Sequence, residues 1–230
     1  MQLSIRMKNV SSLVTPGECL ADIGTDHGYI PIELVREGRV KRALAMDINE
    51  GPLLRAEENI RRFGLEKQIE TRLSDGAKAL KRNEADRAVI AGMGGGLVIK
   101  ILTEGAEVFE TVQELILQPQ SELSRVRKFL QGHAYRIDAE NMVIDEGKYY
   151  PMMRAVHGSM EPLSEEEALY GPLLLKNGNP VLRRFLEKEQ KNFENILRGL
   201  KKETGENAAR RISEIEERLS LIQKAKERMK

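Results

Sequence analysis

A chain of 230 residues, 40% hydrophobic and 32% charged, can bury one domain of ordinary size plus an appendage, and is too apolar for global disorder. Its single cysteine, Cys19, excludes an intramolecular disulfide and a cysteine metal cluster, and no apolar run approaches membrane-spanning length. The formal charge of +1 hides an asymmetry: residues 180–230 hold 14 Lys/Arg against 9 Asp/Glu, and residues 1–179 hold 23 against 27. An acidic body with a basic tail suits a polyanionic partner, and a solvated helical face gives the same count. The opening MQLSIRMKNV lacks the apolar core of a signal peptide, so a cytoplasmic protein is expected.

Leu3, Met7, Val10 and Val14 recur at helical spacing and predict an opening helix, stopped by Pro16-Gly17. Short apolar runs then alternate with helical stretches. Residues 18–23 read as a first strand, with Cys19 as a small core residue, and 30–36 as a helix beyond a glycine turn. Residues 42–46 form a second strand ending at Asp47, and 52–63 an amphipathic helix. Ile69–Leu73 is a third strand, before Asp75-Gly76. Residues 87–91 are a fourth, running into Gly92-Met93-Gly94-Gly95-Gly96 and a helix to about Leu102. Residues 114–117 are a fifth, followed by Gln118-Pro119-Gln120. In the next helix Leu123, Val126 and Leu130 make the apolar face, with Arg125, Arg127 and Lys128 off it.

Strands separated by helices imply βαβ units on a parallel sheet. Two extended runs at 135–145 and 149–157 flank Glu146-Gly147-Lys148, a hairpin signal. In the tail, Leu182, Leu186, Phe193, Ile196 and Leu200 step at heptad-like spacing, with Glu189 interrupting the seam. Ile212, Ile215, Leu219 and Ile222 repeat the pattern beyond a turn at Thr204-Gly205, which predicts an antiparallel coiled-coil hairpin. Such a hairpin either packs on the body or reaches out as an arm. The predicted domains are 1–160, α/β with a largely parallel sheet, and 161–230, helical.

The turn in ADIGTDHGYIPIELV (21–35) carries the chemistry. The helix after it presents unsatisfied amides, and Gly24 and Gly28 remove side chains where a ligand would approach. Yet the spacing is Gly-x-x-x-Gly rather than the Gly-x-Gly-x-x-Gly of pyrophosphate sites. Asp22 before the turn and Asp26 within it would oppose a pyrophosphate. A cationic cofactor without phosphate, such as S-adenosyl-L-methionine, suits them better. Asp47 stands about 20 residues after the turn, where a carboxylate holds ribose hydroxyls in nucleotide folds. Asp75-Gly76 closes the third strand, where an adenine ring would lie. A helix N-cap explains any one of these acids, but three at successive strand ends point to a ligand.

The strings DIGTDHGYIPIEL, AMDINEGPL, SDGAKAL, IAGMGGGLVIKIL and LILQPQ, in that order, resemble the bacterial tRNA (adenine-22-N1)-methyltransferase family, TrmK. The resemblance runs from the opening helix through the tail. It implies a class I methyltransferase with a seven-stranded Rossmann-like sheet, whose last two strands form the hairpin, and a C-terminal coiled-coil domain. By this resemblance Asp22, Gly24, Asp26 and Gly28 shape the methionine side of the cofactor site. Asp47 holds the ribose, Ile48 packs on adenine, Asp75 and Gly76 meet the adenine edge, and Gly92 borders the cofactor.

The implied acceptor is N1 of adenine 22 in tRNA, and N1 has a lone pair at neutral pH, so no strong base is needed before attack. Positioning can then supply roughly 7–11 kcal/mol of the barrier reduction. His27, Tyr29 and Met93 are the candidates around the reacting atoms, Tyr29 as a stacking platform or as plain packing. Arg6, Gly94 and Pro119 fall on the acceptor side. Arg6 and Lys8, with Arg183, Arg184, Arg198, Lys201, Lys202, Arg210 and Arg211 in the tail, are the basic groups available for phosphate. No His/Asp/Glu spacing suggests a metal. A monomer is expected. The alternatives are a methyltransferase for another RNA or a small molecule, a non-enzymatic RNA-binding scaffold, and a nicotinamide oxidoreductase, the last disfavoured by the turn spacing.

Overall fold

The computed structural model describes residues 3–202 and 205–229 and divides into two units, Met1–Glu161 and Pro162–Lys230. In chain order the first contains α1 (Ile5–Leu13), β1 (Gly17–Ile23), α2 (Tyr29–Arg36), β2 (Val40–Asp47), α3 (Glu50–Arg62), β3 (Ile69–Leu73), β4 (Arg87–Met93), α4 (Gly95–Glu104), α5 (Ala106–Phe109), β5 (Glu114–Pro119), α6 (Leu123–Gly132), β6 (Tyr135–Asp145) and β7 (Lys148–His157).

The strands form one seven-stranded sheet in the order β3-β2-β1-β4-β5-β7-β6. The first five pair in parallel; β1, β4 and β5 are largely buried because helices cover both faces, whereas β3, at the sheet edge, keeps Glu70 and Leu73 exposed. Alternate residues serve opposite faces. Leu20, Val89 and Ile116 point into one core with Val10 of α1, Ile32 of α2 and Ile60 of α3. Glu146 (φ 48) and Gly147 (φ 76) form a two-residue left-handed turn that fits strand twist, and the hairpin folds back to lay β7 antiparallel beside β5. The order reverses at β1 and β4, so the chain leaves these neighbours in opposite directions and opens a crevice at their carboxyl ends.

Cys19 is buried, and burial pushes its thiol up to about 11, consistent with a core role. The expectation for Arg127 fails. It lies off the apolar stripe of α6 by periodicity, yet its side chain has no exposed surface, and its Nε donates to Glu140 on β6 at 2.9 Å. A charge-neutralised pair lets a long cation sit in the core, and hydrophobic spacing carries no sign of the partner strand.

The second unit holds α7 (Glu165–Tyr170), α8 (Pro172–Lys176), α9 (Pro180–Leu200) and α10 (Glu206–Arg228). Helices α9 and α10 are antiparallel: Arg183 meets Met229, Glu189 meets Arg218, and Lys201 meets Glu216. The short α7 and α8 were not visible in the sequence. They bury Tyr170, Leu174 and Leu175 at the base of the hairpin, where Leu182, Leu186 and Ile222 are also buried. Glu189, the break in the seam, accepts from the Tyr170 hydroxyl at 3.1 Å and from Arg218 at 3.3 Å. Beyond it the seam thins, and Ile196 is 44% exposed. Of the predicted turn residues, Thr204 lies outside the described residues. No helix among those described is long and apolar enough to cross a membrane.

Candidate functional site

The crevice is built from the loops that leave β1, β4 and β5. Asp22, next to the end of β1, is 3% exposed, and its Oδ2 accepts from the Thr25 hydroxyl at 2.6 Å. Burial pushes the Asp22 carboxyl up to about 7, with the Asp47 charge adding and the Thr25 bond opposing. Gly24 (φ 81) and Thr25 both donate their amides to Met46 O, which stitches the turn to β2. Asp26 (φ 49) pairs with Arg55 of α3 at 2.7 Å and lies 3.5 Å from His27 Nε2. The rings of His27 and Tyr29 stack at 5.1 Å.

The two turn glycines answer to packing as much as to a ligand. A Cβ on Gly24 would fall 2.2 Å from Cε of Met93, so Met93 lies across the space this glycine leaves open. Gly28 (φ 70) caps α2 in the left-handed region, and a Cβ there would meet Cβ of Ala56 at 3.2 Å. Close packing on α3 therefore favours glycine at this position alongside any ligand. Gly28→Ala is expected to cost about 1–2 kcal/mol from the left-handed backbone alone. Urea denaturation checks this, and an unchanged midpoint would show that the turn has no such constraint.

The second group of candidates lies at the ends of β2 and β3. Asp47 Oδ1 accepts from Asn49 N at 2.9 Å, and Ser74 N donates to Asp47 O at 2.8 Å, which fixes the two strand ends together. Ile48 is 59% exposed beside them, an apolar side chain available for a flat partner. Asp75 is tied to Lys78, which holds its carboxyl below the usual range. Gly76 (φ 59) leaves room for Ile101, whose Cγ1 would stand 3.0 Å from a Cβ there.

The third group faces the crevice from β4 and β5. Gly92 (φ 81) sits at a register shift between Ala91 and Met93, and Met93 pairs with the buried Pro119. The glycine run is not uniform in purpose. Gly94 lies against Ser121 Oγ, and Cβ atoms on Gly95 and Gly96 would strike Ser121 O at 2.5 Å and Glu122 Oε2 at 2.9 Å. Glu122 also accepts from Gly96 N at 2.8 Å, so this end of α4 is occupied by the loop after β5. Only Gly92 opens toward the crevice, opposite Arg6 and Gln120.

These walls enclose a cavity of about 200 Å³. Asp22, Gly24, Thr25 and Asp26 line one side, with Tyr29 and Ile30. Arg6 and Met7 of α1, Gly92 and Gln120 line the other. The sequence missed Thr25 and Gln120. The first is signalled only by its place in the turn, the second by standing directly after a strand that ends at the crevice. A buried, reluctantly ionised carboxyl with no basic partner of its own fits a cationic ligand group on the Asp22 side of the cavity, while Arg6 is the basic group of the other side.

A family model described as TrmK, tRNA (adenine(22)-N(1))-methyltransferase, matches residues 20–224. The tRNA (adenine(22)-N(1))-methyltransferase of Bacillus subtilis is 30% identical over 228 residues, 96% of this chain and 96% of that protein. TrmK of M. capricolum, solved with S-adenosyl-homocysteine, superposes with TM-score 0.87 at 30% identity, covering 100% of both chains. Sp1610 of Streptococcus pneumoniae, solved with S-adenosyl-L-methionine, gives TM-score 0.87 at 33% identity over 97% of this chain and 99% of its own. With matches of this length on both sequence and fold, the chain belongs to the tRNA (adenine(22)-N(1))-methyltransferase family, TrmK.

Proposed function

We propose that this protein transfers the methyl group of S-adenosyl-L-methionine to N1 of adenine 22 in tRNA, acting as a monomer in the cytoplasm. The observation that carries the reading is the buried Asp22 carboxyl at the β1/β4 switch point of a chain that belongs to this family. When bound, the cofactor supplies an electrophilic methyl group on a cationic sulfur.

The chain's own residues do the rest. Asp22 holds positive charge at the floor of the crevice, and Gly24 and Asp26, the latter kept in place by Arg55, shape the same side. Asp47 takes ribose hydroxyls, Ile48 covers one face of the cofactor's adenine, and Asp75 with Gly76 bounds its edge. Tyr29, braced by the His27 ring stacked on it, offers a stacking surface to the target base, a contact of about 1–3 kcal/mol in nucleic-acid sites. Met93 and Gly92 border the point of transfer, with Gly94 and Pro119 fixing their loop. The target nucleotide must leave its stack to enter a cavity of this size. The basic face of α9 and α10 contacts tRNA phosphates.

The test is nucleoside mass spectrometry of unmodified tRNA incubated with the protein and S-adenosyl-L-methionine. New 1-methyladenosine is expected, and is expected to vanish when adenine 22 is replaced. Methylation that survives the replacement would move the site, and none at all would send the activity to another acceptor.

A further inference from the structure

One exposed carboxamide borders the crevice with its donor and acceptor uncommitted. Gln120 leaves β5 with its backbone N donating to Met93 O at 2.8 Å, and its carboxamide makes no hydrogen bond among the described residues. Next to it Arg6 is anchored from two directions. Its Nη1 donates to Oε1 of the buried Gln118 at 3.1 Å, and its guanidinium lies over the Tyr150 ring at 5.7 Å. Asp145 fixes the helix below by accepting from Arg6 N at 2.9 Å. A Cβ on Gly92 would approach Arg6 Nη1 at 3.6 Å and Gln120 Nε2 at 3.9 Å, so the glycine keeps the space between these two donors open.

An adenine that attacks through N1 must point that atom at the methyl donor, which leaves the N6 amine and N7 for recognition. A carboxamide matches that edge: Oε1 accepts from N6–H and Nε2 donates to N7. Guanine presents two acceptors there, so one of the two contacts becomes repulsive. The carboxylates of the crevice are committed elsewhere, Asp26 to Arg55 and Asp22 to Thr25. Tyr29 and Ile30 offer faces rather than paired donor and acceptor groups.

We propose that Gln120, seated beside the anchored Arg6, reads the N6/N7 edge of the target adenine and so turns N1 toward the methyl group. The inference rests on the adenine-N1 reading above. Its test compares tRNA carrying adenosine or 7-deazaadenosine at position 22, with the wild-type protein, Gln120→Ala and Gln120→Glu. Replacing N7 by carbon is expected to lower wild-type kcat/KM by roughly 3-fold to 10-fold, about half the worth of a bidentate base contact. Gln120→Ala, which loses both contacts, should be slowed more, roughly 10-fold to 100-fold on adenosine, show no further loss on 7-deazaadenosine, and keep its Kd for S-adenosyl-L-methionine. Gln120→Glu, which sets a carboxylate against N7, should prefer the 7-deaza substrate. An equal 7-deaza penalty in wild type and Gln120→Ala overturns the assignment while leaving the methyltransferase reading intact. Wild type that turns over neither tRNA defeats that reading and this inference with it.

Discussion

Asp22→Asn is expected to stabilise the ligand-free protein at pH 8 while removing most of its affinity for S-adenosyl-L-methionine. The carboxyl is raised from an ordinary 3.8 to about 7. Below pH 3.8 it is protonated in both folded and unfolded chains and costs nothing. Between about 4 and 7 the unfolded chain ionises while the folded one keeps its proton, so stability falls as pH rises. Above about 7 the full cost is present, on the order of 4 kcal/mol for a shift of about three units. Asparagine has no charge to desolvate and still accepts from Thr25, so its stability should lack this decline.

Binding reverses the balance. Asp22 has no basic partner among the described residues, so a cationic ligand supplies its counter-charge, and removing one partner of such a buried pair costs about 2–5 kcal/mol. Wild-type affinity should also fall as pH drops below about 7, by up to about tenfold per unit, because the cation requires the ionised carboxylate. The variant should show a flat profile. Calorimetry in two buffers of different ionisation enthalpy at about pH 6, below the raised carboxyl, would detect the proton that wild type releases on binding. Urea melts across roughly pH 4–8 read the stability side. Parallel pH–stability curves would show that burial does not raise this carboxyl, and a variant with unchanged Kd would remove Asp22 from the cofactor site.

The sequence was most legible where local pattern and site coincide. Asp22, Asp47 and Asp75 were found because strand ends are marked by a change from apolar to acidic, and the structure places them at the carboxyl ends of β1 and β2 and just past β3. The glycines are legible as turns, but the neighbours that crowd them are not. Nothing local says that Gly28 faces Ala56, or that Gly95 and Gly96 yield to Ser121 and Glu122, because those neighbours arrive from distant segments. Arg127 was hidden for the same reason, since its partner is on β6. Helices α7 and α8 are too short for periodicity to register. Gln120 looked like a loop residue until the strand order put it across a cavity from Asp22.

Reversing the charge of Arg198, Lys202 and Arg210 together is expected to weaken tRNA binding about a hundredfold to a thousandfold at roughly 50 mM salt, and to leave cofactor affinity unchanged. These three are exposed and form no ion pair among the described residues, unlike Lys201 with Glu216 or Arg211 with Glu214. Free cations are the ones that can displace counterions from a phosphate backbone. Each phosphate no longer neutralised should flatten the slope of log Kd against log salt by about 0.7–0.9. The alanine triple variant separates loss of attraction from added repulsion: it should share the flatter slope with a smaller drop in affinity. A solvated helical face makes the opposite forecast, with slope and affinity both untouched, and that outcome would remove these three cations from the tRNA contact. The distinction matters for specificity. Phosphate contacts on α9 and α10 carry no base information, so if they supply the affinity, the choice of adenine must be made in the crevice where the base is held.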